Sequence, residues 1–239
     1  MLNVGNRIVN NWIYSIQDGY VLIDTGYEKG FTKLKKQLAV YNIDLHDIKY
    51  IFLTHAHDDH AGFLNEVLAY SPNTKVVMSY KALDTLYKGQ NSFIGGCTSR
   101  ISLFFCNVMK LVGKGEHRFP KLDSCFEDRC ILVSDDTRRL VEKALCGRII
   151  DTPGHTADSI SLILNDGSLF CGDAAMNGLP SLNRITIWAE DKESFLQSWL
   201  TIISLKPKKI YPGHGKPFNY TELNSNIEKV RRIKLYSLT

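Results

Sequence analysis

Between residues 51 and 62 the chain reads Ile51-Phe52-Leu53-Thr54-His55-Ala56-His57-Asp58-Asp59-His60-Ala61-Gly62, an apolar run that stops in three histidines and two aspartates. Imidazole nitrogens and carboxylate oxygens are ligands for a borderline divalent cation such as zinc. One residue separates His55 from His57, so an extended backbone aims both rings to the same side. Asp59 and His60 follow at the next turn and do not readily reach the same ion with the geometry of the first pair. Four ligand-type side chains within six residues therefore predict two ions side by side. A polar surface loop accounts for any one of these residues, but three histidines directly after a buried-strand pattern favour metal.

Further ligand-type residues recur where other apolar strands are predicted to end. His155 lies in Thr152-Pro153-Gly154-His155-Thr156, Asp173 in Phe170-Cys171-Gly172-Asp173-Ala174, and His214 in Pro212-Gly213-His214-Gly215. Asp24 closes the run Tyr20-Val21-Leu22-Ile23 and is followed by Thr25-Gly26, again a carboxylate at a strand rim, with turn capping as its other reading. His46 and His117 are left over in polar contexts and read as surface residues. Tyr211 and Trp188 sit near the site loops, where an aromatic either touches substrate or packs.

The elements that must position these groups follow from hydrophobic period. Asp18-Gly19 marks a hairpin ahead of the strand that ends at Asp24. A helix is expected over 29–40, a strand over 48–53, a helix over 61–70 whose amide dipoles start near Asp59 and His60, a strand over 75–79 and a helix over 81–88. The apolar segment 91–126, with glycines that can act as hinges, reads as an insertion that either lines the substrate pocket or buries into the core. Beyond it, strands are expected over 139–145, 148–151, 160–164 and 168–171, with a hairpin turn at Asn165-Asp166-Gly167. A helix over 191–204, a strand at 209–211 and a final helix capped by Thr221 complete the chain. The run Lys49 to His55 echoes Lys208 to His214, which implies two similar halves, each a sheet with helices outside. The expectation is a single α/β domain over residues 1–239 with two pseudo-symmetric halves.

Composition narrows the classes. A chain of 239 residues, 44% hydrophobic, has enough apolar material for a substantial core and is not disordered. A net charge of +4 does not call for nucleic acid, and the basic runs at 206–209 and 229–234 read as solvated faces. The first residues lack the order of a secretory signal, and no apolar run approaches the roughly 20 residues needed to span a bilayer. The expected home is the cytoplasm, with no membrane partner. The six cysteines have no CxxC spacing and read as reduced thiols, Cys97, Cys106 and Cys171 in packing and Cys125 with Cys130 as the one pair near enough for redox exchange.

The motif His55-x-His57-x-Asp59-His60 resembles the signature of the metallo-β-lactamase superfamily, and His155, Asp173 and His214 follow in the order and loop contexts of its dinuclear members. The loops around His155 and Asp173 are similar to those of hydroxyacylglutathione hydrolases (glyoxalase II) and related lactonases. The resemblance implies an αββα four-layer sandwich, with His55, His57 and His155 on one ion, Asp59, His60 and His214 on the other, and Asp173 bridging. It implies Asp24 as a support behind the ligands and Asp59 as a proton relay. Two cations sharing a water would lower its pKa and supply hydroxide to attack a small carboxylic ester, thioester or lactone. Zinc is the expected metal, with iron or manganese as alternatives. β-Lactam hydrolysis, mononuclear-iron sulfur dioxygenase activity and phosphodiester cleavage are the competing readings. No carboxy-terminal helical domain is evident to hold glutathione, which argues against that thioester as substrate.

Overall fold

The computed structural model describes residues 1–238 of the 239. The chain divides into two compact units, one formed by residues 1–91 and 118–148, the other by residues 92–117 and the chain from Ile149 onward.

The first unit is built on a six-stranded sheet in the order Leu2–Asn3, Trp12–Ile16, Gly19–Ile23, Ile48–Phe52, Lys75–Ser79, Cys130–Val133. The expected hairpin is present, with Ile16 opposite Gly19 across its turn. From Gly19–Ile23 onward the strands pair in parallel, which requires crossovers. Helices Phe31–Val40 and Leu64–Tyr70 provide two of them. The first buries Phe31, Leu34 and Leu38, spaced three and four apart, and the second buries Leu64, Val67 and Leu68. They share one core cluster with Leu22, Ile48, Ile51, Val76 and Met78 of the sheet. Gly19–Ile23 and Ile48–Phe52 end level, Ile23 against Phe52, so Asp24 emerges beside Leu53 and Thr54; the Asp24 amide donates to Phe52 O at 3.1 Å.

A four-stranded sheet runs in the order Lys209–Pro212, Ser168–Gly172, Ile160–Leu164, Gly147–Asp151, all of it in the second unit except residues 147 and 148, which end the first. Ile160–Leu164 and Ser168–Gly172 form the hairpin expected at Asn165-Asp166-Gly167. Helices Lys192–Leu205 and Tyr220–Arg231 bring Phe195, Trp199, Ile202, Leu223 and Val230 into one cluster with Leu169, Cys171 and Ile210. Trp199 is fully buried, and its indole N–H donates to Ala174 O at 2.8 Å, which satisfies its one polar atom. Ser168–Gly172 runs parallel to Lys209–Pro212 with Gly172 opposite Pro212, so Asp173 and His214 leave the sheet as neighbours.

Several expectations are corrected. Residues 139–145 are not a strand: helix Asp135–Ala144 occupies this stretch, held by a capping box between Ser134 and Thr137 with Asp135 and Asp136 against its amino-terminal dipole. Leu140 is 75% exposed, so the apolar pattern was no guide to burial. The helix expected from Ala61 starts only at Leu64. The last helix is capped by Asn219, whose N–H donates to the Glu222 carboxylate at 3.3 Å, not by Thr221. Segment 91–126 is divided between the two units. Residues 92–117 belong to the second unit, whereas Phe119 and Leu122 enter the core of the first. Its helix, Arg100–Leu111, buries Ser102 and leaves Phe104 72% and Leu111 87% exposed, which excludes core packing for that helix. All six cysteines are free thiols. No helix among the described residues is long and apolar enough to cross a membrane.

Candidate metal centre

In the first unit the strand Ile48–Phe52 delivers Thr54, His55 and His57, and a tight turn follows: the amides of His60 and Ala61 both donate to His57 O, at 2.9 and 2.8 Å. That turn folds His60 back over His55, with ring centroids 4.1 Å apart, while His55 and His57 lie 4.7 Å apart. Ligand atoms of His55 and His57, of His55 and His60, and of Asp59 and His60 are within 4.8 Å of each other. The two aspartates of the motif are used differently. Asp58 is tied to Asn91, donating its amide to Asn91 Oδ1 at 2.8 Å and accepting from Asn91 Nδ2 at 2.7 Å. Asp59 instead turns its carboxylate toward His60, Oδ1 to Nε2 3.8 Å.

Behind these ligands Asp24 is buried and accepts three hydrogen bonds, from the Thr54 amide at 2.7 Å, the Thr54 hydroxyl at 2.8 Å and His60 Nδ1 at 2.7 Å. Its φ of +59° is a left-handed conformation that aspartate tolerates better than most residues. Because Thr54 spends its proton on Asp24, its oxygen is left to accept at 3.0 Å from His55 Nδ1. One carboxylate therefore fixes the tautomer of two histidines, His60 directly and His55 through Thr54. Both carry their proton on Nδ1 and present Nε2 as a lone pair, the form a cation needs.

The second unit is organised the same way. His155 Nδ1 lies 2.9 Å from Trp188 O and 3.2 Å from Thr186 Oγ1; a carbonyl only accepts, so the ring proton is on Nδ1 and Nε2 is again the ligand nitrogen. Asp173 Oδ2 lies 3.8 Å from His155 Nε2 and 3.4 Å from His214 Nε2, a carboxylate placed between two imidazoles. Gly154, with φ +127°, allows the approach of the His155 loop to helix Lys192–Leu205, because a Cβ there would stand 2.2 Å from Phe195 N. The donor set passes the chemical test for divalent metal: neutral imidazoles with assigned lone pairs, carboxylates beside them, and oxygen acceptors behind the rings.

Each expected site residue is thus placed with partners of its own unit: His55, His57, Asp59, His60 and Asp24 in the first, His155, Asp173 and His214 in the second. Thr54 was missed, although a hydroxyl residue between an apolar run and a histidine is a legible signal. Trp188 contributes through its backbone oxygen, which no side-chain pattern encodes; its indole N–H donates to Ile94 O at 3.0 Å. Tyr211 packs on Phe170, ring centroids 5.5 Å apart.

Parallel strands ending in histidine and aspartate, backed by oxygen acceptors, define an α/β metal-binding protein. Residues 4–214 match the model of the metallo-β-lactamase superfamily, and the chain belongs to that superfamily and has its fold. It is 26% identical over 214 residues to β-lactamase-like protein 2 homolog of Drosophila melanogaster, covering 86% of this chain and 58% of the relative. The Caenorhabditis elegans protein of the same name is 30% identical over 200 residues, covering 82% and 52%. The chain therefore spans little more than half the length of these relatives. Among solved structures, TTHA1623 in a di-iron-bound form superposes with a TM-score of 0.63 at 19% identity, covering 95% of this chain and 96% of that one.

Proposed function

We propose that the chain is a dinuclear metal-dependent hydrolase that cleaves a small carboxylic ester, thioester or lactone, with zinc as its metal. On this reading His55, His57 and His155 would hold one ion and Asp59, His60 and His214 the other, with Asp173 as a further carboxylate ligand. The observation that carries this reading is the hydrogen bonding behind the rings: His55, His60 and His155 are each held with Nδ1 protonated by Thr54, Asp24 and Trp188 O respectively. A histidine in a purely structural role has no need to be locked with Nε2 as acceptor. Bound divalent cations supply a Lewis acid and bring the pKa of water toward neutrality.

The chain's own residues do the rest. Asp59 is the more accessible of the candidate carboxylates, 13% exposed against 6% for Asp173 and 1% for Asp24, and it takes up the proton released as water attacks the carbonyl. Asp58 is committed to Asn91 and stays out of the chemistry. The di-iron form of TTHA1623 makes iron the second reading of the metal.

The test is a hydrolysis panel of esters, thioesters, lactones, a β-lactam and a phosphodiester, run on protein reconstituted with zinc, manganese or iron beside a His57→Ala variant. Oxygen uptake with a persulfide covers the dioxygenase reading. Turnover on a carboxylic ester, thioester or lactone is expected, falling at least 100-fold in His57→Ala. Activity that survives this substitution undiminished contradicts the assignment.

A further inference from the structure

Within the second unit, a cleft of about 500 Å³ opens at the first turn of helix Arg100–Leu111 and is lined by Arg100, Lys229, Arg232, Lys234, Ser102 and Tyr236 among others. None of its lining residues is acidic. Arg100, Arg232 and Lys234 make no ion pair among the described residues. Lys229 is held by neutral amides, donating to Asn183 Oδ1 at 2.6 Å and Asn226 Oδ1 at 2.9 Å, so its charge is positioned without being offset. The charged groups near by are already paired with others, Arg184 with Glu222 and Arg231 with Glu228. Four like charges around one concavity repel each other, and a bound anion removes that cost.

The remaining wall says what the anion is attached to. Leu182, Ile185 and Ile233 supply apolar surface beside the Tyr236 ring, and the volume suits a small organic molecule rather than a lone ion. Two guanidinium forks favour the tetrahedral oxygens of phosphate over a point acceptor. The helix opening the cleft has no acidic residue in its first turn to compete for them. Thr98, also in the wall, donates its hydroxyl to Thr186 O, and Thr186 Oγ1 reaches His155 Nδ1 at 3.2 Å. The cleft thus adjoins the support of one candidate metal ligand.

We propose that this cleft binds a small phosphate-bearing organic anion of the nucleoside diphosphate type. Arg100, Arg232 and Lys234 take the phosphates, and Tyr236 with Leu182 takes the organic part. The proposal stands apart from the hydrolase assignment, since it uses none of the metal ligands.

The test is calorimetric titration of the full chain with ADP and with inorganic pyrophosphate. Saturable one-site binding is expected, weakened at least tenfold in Arg232→Gln/Lys234→Gln and in Arg100→Gln, and unchanged in His57→Ala. These cations are exposed, so the variants should keep the circular dichroism and melting temperature of the parent. Three results overturn it: no saturable binding, equal affinity in the cleft variants, or loss in His57→Ala with retention in the cleft variants, which would place the anion on the metal ligands. Binding of a polyanion such as heparin without either small phosphate also overturns it.

Discussion

Replacing Asp24 by Asn tests the reasoning about the metal ligands most directly, because it changes one acceptor into a donor and little else. Asn is nearly isosteric and tolerates the φ of +59°, so the backbone at the strand end survives. Its Oδ1 can keep the Thr54 amide, now at 2.7 Å, but its NH2 faces His60 Nδ1 and the Thr54 hydroxyl, both of which donate to Asp24 in the parent. His60 must move its proton to Nε2 to avoid meeting donor with donor. The Thr54 hydroxyl, deprived of its acceptor, turns to His55 Nδ1 and shifts that ring's proton to Nε2 as well. Two of the candidate ligands lose the lone pair they present, and losing such support costs about 10–100-fold in metal affinity. The folding cost is smaller, about 1–3 kcal/mol for a disturbed buried hydrogen-bond group. The assay is competitive chelator titration with elemental analysis, beside urea denaturation of the metal-free protein. Asp24→Ala is the control: it strands three buried donors and adds backbone strain, so its destabilisation should exceed that of Asn by several kcal/mol. Unchanged metal affinity in Asp24→Asn, with the fold intact, would refute the tautomer argument.

Two further outcomes follow from single positions. Gly154→Ala places a Cβ 2.2 Å from Phe195 N at a φ of +127°, and should cost about 3 kcal/mol in urea denaturation while also lowering metal affinity through His155. Asp191 caps helix Lys192–Leu205, and its hydrogen bond to Ser194 holds its carboxyl below the usual carboxylate range. A depressed folded pKa contributes stability that is present above the unfolded value and lost as pH falls through the folded one, here below about pH 4. Asp191→Asn should therefore flatten the acid limb of a stability profile, and Asp191→Ala should lose about 1 kcal/mol at neutral pH; an acid limb identical in parent and Asn variant counts against the cap.

How far the sequence reached depends on what kind of signal each feature left. His55, His57, Asp59 and His60 were legible because ligand types crowded at the end of one apolar strand have no common structural explanation. Strands 160–164 and 75–79 were legible because a strand buried on both faces is mostly apolar, here interrupted only by Ser161 and bounded by Lys75 and Ser79. Helix Asp135–Ala144 was misread since Leu140 and Val141 look like strand material, and the deciding information lay in the cap at Ser134 and Thr137. Within segment 91–126, apolar content alone did not separate Phe119 and Leu122, which enter a core, from Phe104 and Leu111, which stay exposed.

The amino-acid sequence by itself determined the ligand types, the strands that carry them and the superfamily whose motif they match, since these depend on local spacing and hydrophobic period. Only the tertiary structure decided which oxygens stand behind His60 and His155 and what orients Thr54 behind His55: Asp24 meets Thr54 and His60 from another strand end, and Trp188 acts on His155 through a backbone carbonyl. A proton's place on a ring is set by the acceptor it meets in space, and for His60 and His155 that acceptor is brought in by strand register and loop closure from residues 36 and 33 positions away.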